Sequence, residues 1–142
     1  MASLVRFHAA SGAVAMAIIT SFMGATIVSE AFFGPGAIAA TKRFIVLAIP
    51  LLVAALAAAG ASGFRLGRGW QSATVARKRR RMPIIAGNGI IVLVPAALFL
   101  SSRAGAGLYD TAFYAVQIAE LAAGAVNLVL LGRNFRDGLS MR

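Results

Sequence analysis

The sequence predicts an all-α polytopic membrane protein, a four-transmembrane-helix antiparallel bundle with both termini cytoplasmic. Three observations carry this expectation. Four apolar runs each approach the roughly 20 residues that cross a bilayer. Of the 142 residues, 60% are hydrophobic and only 13% charged, more apolar side chain than a soluble chain of this length can bury. The cations, which bring the net charge to +10, gather at the ends of the apolar runs instead of spreading over a polar face.

Taken in order, the first run covers about 9–33 and carries no charge before Glu30. It is too long for a signal-peptide core and is read as retained. Gly34-Pro35-Gly36 punctuates it, and a short outer connector is expected as far as Lys42 and Arg43. The second run is about 44–61. A basic cytoplasmic loop, 62–82, follows and holds seven of the fourteen Lys and Arg residues. Pro83 is expected at the first helical position, where its missing N–H costs nothing. It opens a third run, about 84–102. A turn at Arg103 to Gly107 leads to the fourth run, about 111–132, which Asp110 or Thr111 can cap. Every span must be helical, because an open strand in lipid leaves its backbone unpaired. The whole chain, 1–142, is read as one membrane domain.

Orientation follows from counting cations by side. Arg6, the central loop (Arg65, Arg68, Arg77, Lys78, Arg79, Arg80, Arg81) and the tail (Arg133, Arg136, Arg142) share one face, eleven in all, against Lys42, Arg43 and Arg103 on the other. The run Arg77, Lys78, Arg79, Arg80, Arg81 serves as a topology signal, as a patch for anionic lipid headgroups, or as a docking surface for a partner. Nucleic acid is not an expected partner, since only Trp70 lies near enough to interleave an aromatic with the charge. Small residues at four-residue spacing, Ala9/Ala13/Ala17 and Ala54/Ala58, suit close helix approach in a tight bundle or an oligomer.

The fourth run holds the most informative pattern. Asp110, Phe113, Gln117, Glu120, Gly124, Asn127, Leu131 and Asn134 recur at steps of three and four, which places them on one helix face. Glu120 lies nine residues past Thr111, about 13 Å deep at a rise of about 1.5 Å per residue. An ionised carboxylate at that depth costs about 3 kcal/mol or more, so it should be protonated, paired or facing water. Pro95 frees the carbonyl of Ile91 at similar depth, a partner for a protonated Glu120. Asn88 and Asn127 fall in the same layer of an antiparallel hairpin and can hydrogen-bond. Asn88, Gln117, Glu120 and Asn127 thus read either as a structural polar seam or as a proton- or substrate-handling site. Glu30 is expected to form an outer-face ion pair with Lys42 or Arg43.

His8 is the only histidine, in the string Arg6-Phe7-His8-Ala9-Ala10-Ser11-Gly12. It reads as an interfacial histidine, or as a ligand. The string resembles the opening of the first helix in four-helix b-type cytochromes, and its His-x-x-Ser-Gly part is similar to the quinone-site segment of succinate dehydrogenase membrane anchors. That resemblance implies haem b or quinone held near His8, Ser11 and Arg6. Those cytochromes supply a second histidine, which this chain lacks, so a haem would need Met82, a symmetry-related His8 or a partner's ligand. More broadly, ARKRRRMPIIAGNG (76–89) and YAVQIAELAAGAVNL (114–128) resemble small four-helix integral membrane proteins of GC-rich bacteria, which implies the bacterial inner membrane and no particular activity.

Several chemistries are absent. The chain has no cysteine, hence no disulfide or thiolate chemistry. No glycine-rich phosphate loop precedes a Lys-Ser/Thr pair. One histidine and four scattered carboxylates offer no metal-ligand spacing, and no catalytic residue set stands out. Three functions remain, in order of expectation. The first is a non-catalytic membrane subunit or assembly factor, with other membrane chains or a second copy as partner. The second is a haem- or quinone-binding electron-transfer module using His8. The third is a small oligomeric proton-coupled transporter using Glu120.

Overall fold

A computed structural model describes residues 2–141, and all of its regular structure is helical. There are four long helices: α1 (Ala2–Phe32), α2 (Pro35–Leu66), α3 (Ala73–Gly105) and α4 (Thr111–Leu139). Each is long and apolar enough to cross a bilayer. Consecutive helices are neighbours and α4 closes back onto α1, so the chain runs up and down around a ring. Arg6, the α2–α3 connection and the C-terminal turns of α4 therefore meet at one end, termed here the basic end. Arg142 lies outside the described residues.

The helices exceed the apolar runs, and the connections are correspondingly shorter. Gly34 sits in extended backbone and Pro35 starts α2 immediately, so no connector reaches Lys42 and Arg43. Proline is pre-shaped for a first helical turn, and the Ala-rich residues after it propagate helix well. Ile38, Lys42 and Ile45, spaced by four and three, then all face inward and are buried. The expected basic loop is also mostly helix. Only Gly67–Ser72 lies between α2 and α3, with Gly69 turning the chain at φ +83°. The Ser72 hydroxyl caps α3 by accepting from the Val75 N–H at 3.2 Å, and Arg and Lys are good helix formers. Pro83 is consequently inside α3 and not at its start.

A π-helical turn at Gly89–Leu93 interrupts α3 just ahead of Pro95. The Val94 N–H reaches back five residues to Gly89 O. A proline ring collides with the carbonyl four residues earlier, and a widened turn relieves that collision. At the distal end Gly107, at φ +70°, reverses the chain, and Asp110 caps α4 by accepting from the Phe113 N–H at 3.0 Å. Arg103 donates to the same carboxylate. Those bonds hold the Asp110 carboxyl below its ordinary range, the Arg103 contact contributing most.

The exterior is far more apolar than that of a soluble protein, and several polar side chains are buried beside the apolar core. Phe32, Phe33, Phe44, Leu47, Ile90, Ile91 and Ile118 are exposed around the exterior. The interior holds Lys42, Gln117, Asn127, Thr26, Ser29 and Ser62. Two apolar clusters hold the helices together: Ile38, Leu100, Ala104 and Phe113 near the distal end, and Ile19, Ile85 and Leu131 nearer the basic end.

Candidate functional site

The polar face of α4 meets three different helices, and each of its polar residues has its own partner. Glu120 accepts from Lys42 Nζ at 2.9 Å. The Lys42 side chain is fully buried and Glu120 is 13% exposed. Lys42 also donates to Thr26 Oγ1 at 3.3 Å. Glu120 therefore takes Lys42 and not the Ile91 carbonyl as partner. The reason is the early start of α2, which swings a long cation into the bundle where an ion pair outcompetes a neutral acceptor. One turn toward the distal end, Gln117 Nε2 donates to Glu30. Glu30 is accordingly not paired with Lys42 or Arg43: Lys42 is spent on Glu120, and Arg43 is exposed on the outside of α2.

Deeper toward the basic end, Asn88 Nδ2 donates to Asn127 Oδ1 at 2.9 Å and to Ala123 O at 2.8 Å. Asn127 is completely buried and donates in turn to Ile85 O at 3.3 Å. At the basic end itself, Arg81 bridges to Asp137 at 2.7 Å and to Asn134 Oδ1 at 3.2 Å. Three polar layers thus tie α4 to α1 and α2, to mid-α3, and to the start of α3. Two buried polar atoms, Gln117 Oε1 in this stripe and Arg103 Nε at the distal end, have no partner among the described residues.

His8 stands apart from these layers. Its Nδ1 is within hydrogen-bond distance of Ala59 O (3.0 Å) and Ser62 Oγ (3.1 Å) on α2. The ring lies against Gly63, where an added Cβ would approach Cε1 to 2.9 Å; glycine is what allows the close contact. Ser11 Oγ donates to Phe7 O of its own helix, and Arg6 is exposed, so neither joins His8. Met82 turns its sulfur to Asn134 Nδ2 at 3.6 Å. Of the residues expected around a haem or quinone, His8 and Met82 line one cleft, whereas Arg6 and Ser11 do not.

A cleft of about 1160 Å³ lies between the helices, lined by Trp70, His8 and Lys78 toward the basic end and by Thr26 and Glu120 at its far end. Its walls are mainly apolar. Among the described residues, no group of three His, Asp or Glu is placed to hold a metal ion.

Lys42 is the interior charged residue that the run-by-run reading missed. The signal was present in Pro35 as a helix start and in the inward spacing Ile38, Lys42, Ile45. The Arg81–Asp137 tie was hidden for a similar reason, since it requires α4 to continue past residue 132. No family model, curated protein or solved structure matches this chain.

Proposed function

We propose that this chain is a multi-pass protein of the bacterial inner membrane, with both termini and the α2–α3 connection in the cytoplasm, and that it acts as a non-catalytic membrane subunit or assembly factor. The observation that supports it is that the interior polar side chains close on one another. Lys42 pairs with Glu120, Gln117 with Glu30, and Asn88 with Asn127. Such pairs set register and rotation between helices; they do not converge on a vacant position where a substrate bond could be placed. The apolar exterior supports lipid as the surrounding solvent, and the ten described cations of the basic end support the orientation.

The outer face of α1 suits a membrane-embedded partner. Ala13, Ala17, Thr20, Ser21 and Gly24 are exposed along it, and nothing lies within 4 Å of a Cβ added at Gly24. The Thr20 and Ser21 hydroxyls are satisfied by their own helix at 2.8 Å, so the face is both small and free of unmet polar groups. Close packing of another helix is what such a surface favours in lipid. The experiment is purification in mild detergent with an absorption spectrum and identification of co-purifying chains. A colourless complex with stoichiometric partners, lost on Gly24→Leu, is expected. A Soret band lost on His8→Ala would replace this reading with the electron-transfer one.

A second reading has one observation in its favour. A buried Lys–Glu pair whose Glu120 lines a cleft is an arrangement in which a proton can exchange against an anion: protonating Glu120 frees Lys42. Intramembrane ionisable groups are functional candidates by default. Proton uptake into proteoliposomes, abolished by Glu120→Gln, would select this carrier function.

A further inference from the structure

We propose that the cleft is a binding site for one phospholipid with an anionic headgroup, its acyl chains between α2 and the first half of α3 and its phosphate at Lys78 and Arg79. The inference rests on the membrane placement proposed above. The slot exists because α2 and the first half of α3 hardly touch, whereas the other neighbouring helices pack along each other. From the level of His8 to that of Thr26, both of which line it, α1 rises about 27 Å at about 1.5 Å per residue. That is close to the hydrocarbon thickness of a whole bilayer, about 30 Å, and longer than the roughly 15 Å of one leaflet, so the acyl chains of one lipid occupy the half of the slot next to the basic end. The volume of about 1160 Å³ exceeds the range of about 300–1,000 Å³ that suits drug-sized ligands.

The headgroup assignment comes from the way the helix divides the basic run. Val75, Lys78, Arg79, Met82, Ile85 and Ala86 line the cleft, following helical spacing. Arg77 and Arg80 project elsewhere and are exposed. Arg81 is committed to Asp137 and Asn134. Lys78 is half-buried at the mouth, and its side chain has no hydrogen bond or ion pair among the described residues. Arg79 donates from Nη2 to Gly67 O at 2.9 Å, which anchors the guanidinium at the rim and leaves its remaining N–H groups to an incoming anion. A planar fork beside an ammonium matches phosphate oxygens. Trp70, exposed at the same rim, suits the headgroup level of a bilayer. A free fatty acid presents the same kind of charge but a single chain, which fills less of the slot.

The test is native mass spectrometry of the full chain, delipidated in mild detergent and titrated with dioleoyl phosphatidylglycerol or dioleoyl phosphatidylcholine. One retained phosphatidylglycerol per chain is expected, preferred about tenfold over phosphatidylcholine. Lys78→Gln with Arg79→Gln should bring that ratio close to one. Arg77→Gln with Arg80→Gln removes equal charge from the same helix and should leave the ratio unchanged. Ala86→Trp, which fills the slot without touching the cations, should reduce retention of both lipids. Equal retention of the two lipids, no retention, an equal fall in both double variants, or displacement of phosphatidylglycerol by equimolar oleate would each overturn the proposal. Flotation with vesicles separates the two levels: a chain that does not float refutes the membrane placement, and one that floats without lipid preference refutes only the site.

Discussion

Neutralising Lys42 is expected to be the most damaging single change inside the bundle. Its ammonium lies 2.9 Å from Glu120 Oε2 with no side-chain exposure. At that separation the gross attraction is about 6 kcal/mol for an effective dielectric constant of about 20. Desolvation of both groups offsets much of this, yet removing one partner leaves the other charge buried, and such losses run to about 3–5 kcal/mol. Lys42→Met keeps the length and apolar stem of the side chain while stranding the Glu120 carboxylate. Replacing both residues, Lys42→Met with Glu120→Leu, removes the stranded charge, and the pair of changes should come within about 1 kcal/mol of the parent. Thermal unfolding followed by size-exclusion chromatography in mild detergent reads all three chains. A Lys42→Met protein as stable as the parent, or a double variant as damaged as the single one, would refute the reasoning.

Other perturbations have smaller and more local effects. Gly63→Ala should cost about 1–3 kcal/mol by overpacking, since its Cβ would meet His8 Cε1 at 2.9 Å; adding His8→Ala should recover most of the loss. Gly124→Ala should be close to neutral in the same melting assay, because its Cβ meets only the flexible Met23 thioether, at 3.2 Å. Asn127→Leu should cost about 1 kcal/mol, and a following Asn88→Leu should then cost less than it does alone, which a double-mutant cycle measures. Asp110 gives a pH dependence with a definite sign. Its folded-state pKa is lowered by Arg103 and the Phe113 N–H. The cap's contribution is therefore complete above the ordinary carboxylate value of about 4 and is lost as pH falls through the lowered folded value. Amide exchange at Phe113 should accelerate over that acid window, and Asp110→Asn should flatten the dependence.

The helical class and the four long apolar helices were legible because composition and run length determine them. The α4 polar face was legible too: a period of three and four is written into Gln117, Glu120, Gly124 and Asn127. The limits of the helices were harder to see. Apolar runs mark the part of a helix that fits the hydrocarbon core, whereas hydrogen bonding continues through any residues that tolerate helix. Pro35 to Arg43 and Ala73 to Met82 contain such residues, so both were read as connectors. That error concealed Lys42, whose charge makes sense inside the bundle only once Pro35 is recognised as a helix start. It likewise concealed the division of Arg77–Arg81 into a cleft-facing pair and an outward pair. The π-helical turn ahead of Pro95 is a packing solution, and the sequence marks only the proline that requires it.

The threading of the chain through a bilayer is the claim on which the functional readings depend. Single cysteines at Gly34, Gln71, Ala106 and Ser140 can report it without background, because the natural chain has none. All four positions are exposed. A membrane-impermeant maleimide applied to spheroplasts should label Gly34→Cys and Ala106→Cys, and should reach Gln71→Cys and Ser140→Cys only after the membrane is opened. Labelling of Ser140→Cys in sealed spheroplasts, or equal labelling at all four positions, would contradict the account.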